Sequence, residues 1–192
     1  MKIGIMQHYF FPYIGYFQLI NAVDIFVIYD DVNFIKQGWI SRNRILINCA
    51  EHMMTLQLFG ASSFKHINKI EIGNNQEKLL RTIYHAYHLA PFFDRVYPLI
   101  VSVMINGEKN LSNFLAHLLK SICFYLRIET KLVLSSSFEK DNTLKGYEKG
   151  IAICKKFHAG TYINAIGGKS LYSKDDFSAH NIELLFIKTN EI

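Results

Sequence analysis

Asp30-Asp31 closes a run of β-branched and aromatic residues, Asp24-Ile25-Phe26-Val27-Ile28-Tyr29, which places two carboxylates at the end of a strand. An anionic oxygen at a sheet's ligand edge suits either general-base attack on an amine proton or coordination of Mg²⁺. Adjacent residues of an extended chain point to opposite faces, so one of the two reaches a site. A strand-ending turn with a helix cap accounts for the same pair. His8 opens an aromatic loop that runs through Pro12 to Gly15, between a first strand and a first helix. Open α/β sheets bind ligands at that position, and the free N–H groups of a helix start accept phosphate. His8 is therefore a candidate phosphate contact, and Gln7, Pro12, Tyr13, Gly15 and Tyr16 are candidate substrate contacts. The bland alternative makes Tyr9, Phe10, Phe11 and Tyr13 core aromatics.

A second constellation is Trp39 with Arg42, Asn43 and Arg44. An arginine fork grips phosphate or carboxylate bidentately, and Trp stacks on a base or sugar ring. Two arginines at alternate positions share a face if this segment is a strand; a solvated turn is the competing reading. Late in the chain Tyr162 and Asn164 lie in an expected strand, and Gly167, Gly168 and Lys169 follow it. The Gly-Gly-Lys-Ser run lacks the upstream glycine of a Walker loop, and a turn at positive φ explains its glycines. His85 and His88 share a helical face without a third ligand, so surface or packing roles are expected; Cys154 and His158 share one among apolar neighbours, where a buried thiol is expected. No metal site is expected.

The elements that must position these groups follow from periodicity. Lys2 to Gln7, Asp24 to Asp30, Lys131 to Ser135, Thr161 to Asn164 and Ile182 to Ile187 read as strands. Helices are expected after Gly15, at Leu144 to Phe157 and near Ser173 to Phe177. Strands alternating with helices imply a mainly parallel, Rossmann-like sheet flanked by helices. Within 43–72 an antiparallel insertion is expected: strands Arg44 to Cys49 and His52 to Phe59 turning at Ala50-Glu51, then His66 to Ile72. Within 75–128 the pattern gives a helical stretch, Gln76 to Leu89, Pro91 to Ile105 and Leu111 to Ile128, with Pro91 in a first turn and Asn110 or Ser112 as cap. The whole reads as one α/β domain over 1–192, without repeats or linkers.

Half of the 192 residues are apolar, aromatics reach 14% and charged residues 19%, the reverse of a disordered composition. A net charge of +5 favours anions without a basic stripe of the kind nucleic acid needs, which excludes DNA as the main ligand. The longest apolar run, around Pro98 to Ile105, falls well short of the roughly twenty residues of a membrane span. The N-terminus lacks a cleavable leader pattern, so the expected location is the cytoplasm. Cys49, Cys123 and Cys154 are odd in number and set in apolar stretches, and read as reduced core thiols.

The stretch Ile5-Met6-Gln7-His8-Tyr9-Phe10-Phe11-Pro12-Tyr13-Ile14-Gly15-Tyr16-Phe17-Gln18-Leu19-Ile20, with Asp24 and Tyr29-Asp30-Asp31, resembles the opening signature of the WbqC-like family. Gly38-Trp39-Ile40-Ser41-Arg42-Asn43-Arg44, Tyr87-His88-Leu89-Ala90-Pro91-Phe92-Phe93 and Thr161-Tyr162-Ile163-Asn164 with Gly167-Gly168 extend the resemblance over the chain. The chain departs from the family pattern at His8, where members carry Pro, and at its end, where that pattern continues into a Tyr-x-Gln segment and a further helix. The resemblance implies a setting in O-antigen and related polysaccharide synthesis and a glycine or aminoacyl transferase activity. The loop also resembles the nucleotidylyltransferase superfamily, with Tyr16 standing where that family has a second histidine.

The leading expectation is an amide-forming transferase acting on a sugar nucleotide or other phosphorylated small molecule. Arg42, Arg44 and Lys169 would hold phosphate, Trp39 would stack, and Asp30 or Asp31 would serve as base. Aminoacyl-tRNA is the candidate donor, and ATP with Mg²⁺ the candidate cofactor. The alternatives are an adenylating enzyme and a non-catalytic binding protein of the same pathway.

Overall fold

The structure is a computed structural model that describes residues 1–189. In chain order its elements are β1 (Lys2–Met6), α1 (Ile14–Asn21), β2 (Ile25–Ile28), β3 (Arg42–Ile47), β4 (Ala50–Thr55), β5 (Leu58–Phe59), β6 (Glu71–Ile72), α2 (Gln76–Tyr87), α3 (Phe93–Met104), α4 (Leu111–Tyr125), β7 (Lys131–Leu134), α5 (Gly146–Lys156), β8 (Thr161–Ala165), α6 (Lys174–Ser178) and β9 (Glu183–Ile187). Short 3₁₀ turns fill Ile67–Lys69, Ser135–Ser137 and Ile166–Leu171. The chain forms two compact units: Met1–Gln7 with Tyr13–Tyr29 and the part from Arg127 onward, and His8–Pro12 with Asp30–Leu126. The second is thus inserted in sequence into the first.

The first unit is built on a five-stranded sheet in the order β7-β2-β1-β8-β9. All four pairings are parallel. Parallel strands are covered on both faces, which is why β2 reads as an unbroken apolar run and why all of it is buried. Ile3, Ile5, Ile25 and Val27 pack with Ile151 and Cys154 of α5 and Phe177 of α6. Phe26 packs instead against Tyr16 of α1, at 5.4 Å between ring centroids. Taken in chain order the five strands lie 3-2-1-4-5, so the direction of winding reverses between β1 and β8. The expected α/β architecture is observed.

In the second unit β3 and β4 form an antiparallel hairpin running from Arg42↔Thr55 to Ile47↔Ala50. Its two-residue turn is Asn48-Cys49, with φ of 51° and 63°, the twist that a tight hairpin requires. The expected turn at Ala50-Glu51 is therefore displaced by two residues: Asn tolerates the left-handed region, which frees Ala50 and Glu51 to pair in β4. The expected strand over His66 to Ile72 is mostly a 3₁₀ turn, with Glu71–Ile72 alone pairing to β5. Helix α3 begins at Phe93 rather than Pro91, after Phe92 in the left-handed region at φ 65°. Helix α4 is capped as expected, Asn110 Oδ1 accepting from the Asn113 amide at 3.2 Å. Among the described residues no helix is long and apolar enough to cross a membrane.

Candidate functional site

The carboxyl edge of the parallel sheet in the first unit holds most of the groups expected there. Gln7 directly follows β1, and its carbonyl accepts the Tyr16 hydroxyl at 3.0 Å. Tyr13 caps α1 through its backbone and has no side-chain cap bond. A Cβ at Gly15 would crowd the Tyr13 ring and Thr189 Oγ1, and one of these side chains would have to shift to admit it. On the far side of the winding reversal, Asn164 donates to the Tyr162 hydroxyl at 3.1 Å and accepts the Ala165 amide at 2.7 Å. Gly167, Gly168 and Lys169 follow in a 3₁₀ turn. Neither glycine has positive φ, which overturns the turn explanation given to them by spacing. At Gly168 the reason is close approach: a Cβ would stand 2.9 Å from Asn164 Nδ2.

Two expected contacts are core groups instead. Tyr16 is 1% exposed. Tyr162 is equally buried and stacks on Phe177 at 5.2 Å, and burial pushes its phenol well above the usual range, with Tyr172 adding to the rise. The aromatic residues of a signature are the ones most readily claimed by a core.

The second unit assembles a buried polar cluster. Asp30 is 1% exposed and His8 is fully buried. Asp30 Oδ2 accepts from Ser112 Oγ at 3.1 Å and from Asn68 Nδ2 at 3.4 Å. The Asp30 carbonyl accepts the Asn68 amide at 3.1 Å, and Asn110 Nδ2 donates to the Asn68 carbonyl at 2.9 Å. Burial lowers the His8 pKa to about 4, while the Asp30 charge and the Ser112 backbone pull it upward. Among the described residues neither ring nitrogen has a partner at hydrogen-bonding geometry. A carboxylate, a hydroxyl and an imidazole thus lie together, yet the hydroxyl proton goes to the carboxylate rather than to the imidazole. A nucleophilic triad needs the opposite polarity, so Ser112 is not activated here. Spacing gave no sign of Asn68, and it gave Ser112 only as a cap.

Asp31 is half-buried. The expected recognition group forms a strand: β3 begins at Arg42, so Arg42 and Arg44 share a face. Arg42 Nε donates to the Gly38 carbonyl at 3.2 Å. Arg44 pairs with Glu51 at 3.1 Å and stands 5.6 Å over the Trp39 ring. Asn43 faces the other way, and its amide donates to the carbonyls of Phe10 and Phe11. Phe10 in turn donates its amide to the Trp39 carbonyl at 2.9 Å, so the His8–Pro12 loop is stitched to the start of β3. Asn43 is a loop anchor in this arrangement.

Of the remaining candidates, His85, His88 and His158 are exposed and Cys154 is buried. His88 stacks on Tyr84 at 5.3 Å. The Cys154 thiol is pushed up to about 12 by burial and is no nucleophile. Cys123 is buried, but Cys49 is exposed at the hairpin tip, which corrects its assignment to the core. Among the described residues no group of three His, Cys, Asp or Glu is placed to hold a metal.

The model of the WbqC-like protein family matches residues 7–192. A curated relative, the uncharacterized protein Rv1507c of Mycobacterium tuberculosis, is 29% identical over 188 residues, covering 95% of this chain and 80% of the relative. No solved structure matches.

Proposed function

Since the chain belongs to the WbqC-like protein family, we propose that it is a transferase of surface-polysaccharide assembly that carries a glycyl or other aminoacyl group to an amino-sugar nucleotide. The observation that carries this reading is the 3-2-1-4-5 order of the parallel sheet. Ligands of open α/β sheets bind outside the carboxyl ends of the strands, where the winding reverses. Here that crevice is flanked by Gln7, Tyr13 and Gly15 after β1 and by Gly167, Gly168 and Lys169 after β8. Backbone amides at the start of α1 and the Lys169 ammonium suit a phosphorylated ligand.

In the second unit, the burial and hydrogen bonds of Asp30 suit a positioning role, so we assign the base to Asp31. Arg42 and Arg44 present two guanidinium groups on one strand face and are assigned to an anionic part of donor or acceptor. His8, sealed in its cluster, supports the fold of its loop.

The test is mass spectrometry of the purified protein with an amino-sugar nucleotide and glycine, supplied as free amino acid with ATP and Mg²⁺ or as charged tRNA. An added glycyl group establishes the transferase and identifies its donor. A product only with ATP, accompanied by exchange of pyrophosphate into ATP, makes it an adenylating enzyme. The sealing of both His8 and Asp30 favours one further reading, a binding protein without turnover. Thermal stabilisation by the sugar nucleotide with no product from either donor selects it.

A further inference from the structure

The carboxyl ends of β2 and β7 carry polar groups that no reading of the spacing picked out. Ile28 is registered with Leu134, so the next residues, Tyr29 and Ser135, end neighbouring strands side by side. Neighbouring strands lie about 4.8 Å apart. Ser135 is fully buried, and its hydroxyl has no hydrogen-bond partner. A buried hydroxyl left unpaired is costly, so its retention calls for an explanation.

Each of these two residues has an ammonium group beside it. Lys140 donates to the Ser135 carbonyl and stands 4.7 Å over the Phe138 ring. Lys149 projects from α5 with its Nζ 5.0 Å over the Tyr29 ring, and it is only 7% exposed. Tyr29 and Phe138 both pack on the hydrophobic cluster between the sheet and α5. Lysine is almost never buried to this degree unless its charge is paired. Each ammonium has three protons, enough to take on a further anion beside the partners it already has.

We propose that Ser135, Lys140 and Lys149 form a binding site for the phosphates of a phosphorylated small molecule, at the end of β2 and β7. The two ammonium groups supply charge, and the Ser135 hydroxyl donates the one directed hydrogen bond that the free protein leaves unused. The site deepens the proposed function and rests on it for the ligand class. Strand β1 separates β2, the nearer of its two strands, from β8 and the Lys169 turn.

The test is calorimetric titration of the whole protein with UDP and, separately, with inorganic pyrophosphate, using wild type, Lys140→Met, Lys149→Met, Ser135→Ala and Lys169→Met. The expected result is that the wild type binds and that each Lys→Met change at the site weakens binding about tenfold, the loss of one charge-assisted contact. Ser135→Ala weakens binding about fivefold while leaving the melting temperature of the free protein unchanged or raised, because it removes an unpaired buried hydroxyl. A merely structural Ser135 would leave affinity untouched. Binding of pyrophosphate as tightly as UDP assigns the site to the phosphates alone; tighter binding of UDP extends it to the nucleoside. Wild-type binding that survives Lys149→Met and Ser135→Ala but is lost in Lys169→Met overturns the site and leaves the proposed function standing. No binding of either probe by the wild type overturns both.

Discussion

Ser112 Oγ donates to Asp30 Oδ2 across 3.1 Å of buried space, joining residues 82 apart in the sequence. Within the second unit the bond fixes Asp30 to the first turn of α4. Removing the carboxylate strands the Ser112 hydroxyl and the Asn68 amide away from water. Asp30→Ala should therefore cost about 3 kcal/mol and Ser112→Ala about 1 kcal/mol. Urea denaturation measures both. Equal, small losses would remove Asp30 from the role of keystone given it here.

Asp31 provides the functional contrast. If it is the base of an aminoacyl transfer, Asp31→Asn abolishes turnover while its denaturation midpoint stays close to wild type. Turnover in Asp31→Asn at the wild-type rate, measured by product mass, would reject that role. The pair also shows how legible the site was. A double carboxylate ending a β-branched run announces a sheet edge, but which carboxylate is sealed depends on Ser112 and Asn68, which no local pattern ties to Asp30.

His8 should make stability depend on pH. Its folded pKa of about 4 lies below the ordinary histidine value of 6.5, so between those values the unfolded chain binds the extra proton. Stability from this group is complete above pH 6.5 and is lost as pH falls towards 4, by about 3 kcal/mol in all. Below that both states are protonated, and His8 contributes no further slope. His8→Leu should flatten the profile across this window in urea titrations at successive pH values. A profile as steep in His8→Leu as in wild type would assign the slope to other groups.

The strands and helices of the first unit were readable because their signal is local. Ile25–Ile28 has no polar residue to interrupt it, and α5 carries an apolar stripe. The second unit was harder where conformation depends on single backbone angles. Asn48-Cys49 turns the hairpin because both residues accept the left-handed region, and nothing in the alternation of Arg44 to Phe59 marks that pair above Ala50-Glu51. Gly168 reads as a flexible turn, although its real constraint is the side chain of Asn164. The convergence of Lys140 and Lys149 on the ends of β2 and β7 depends on register and on a helix phase, so composition shows only two more lysines.

Asn43 tests whether the aromatic loop is held as described. Its amide bonds to the Phe10 and Phe11 carbonyls, and Phe11 itself sits at φ 50°, a region that is costly for an aromatic residue. Asn43→Ala should cost about 1–2 kcal/mol and speed hydrogen exchange at the Phe10 amide, whose partner is the Trp39 carbonyl. Unchanged exchange there would mean that the loop keeps its shape without this anchor.

The three thiols should separate cleanly by burial. Cys123 and Cys154 are buried, with thiols pushed up to about 11 and about 12, and both hold their protons at neutral pH. Thiolate, not thiol, is the reactive form, so neither should react in the native state. Cys49 lies exposed in the turn between β3 and β4. A chromogenic disulfide reagent at neutral pH should titrate one thiol per chain in the folded protein and all three in denaturant. Two or more reactive thiols without denaturant would show that the core around Cys123 or Cys154 opens on the timescale of the reaction; none would place the hairpin tip against a partner surface.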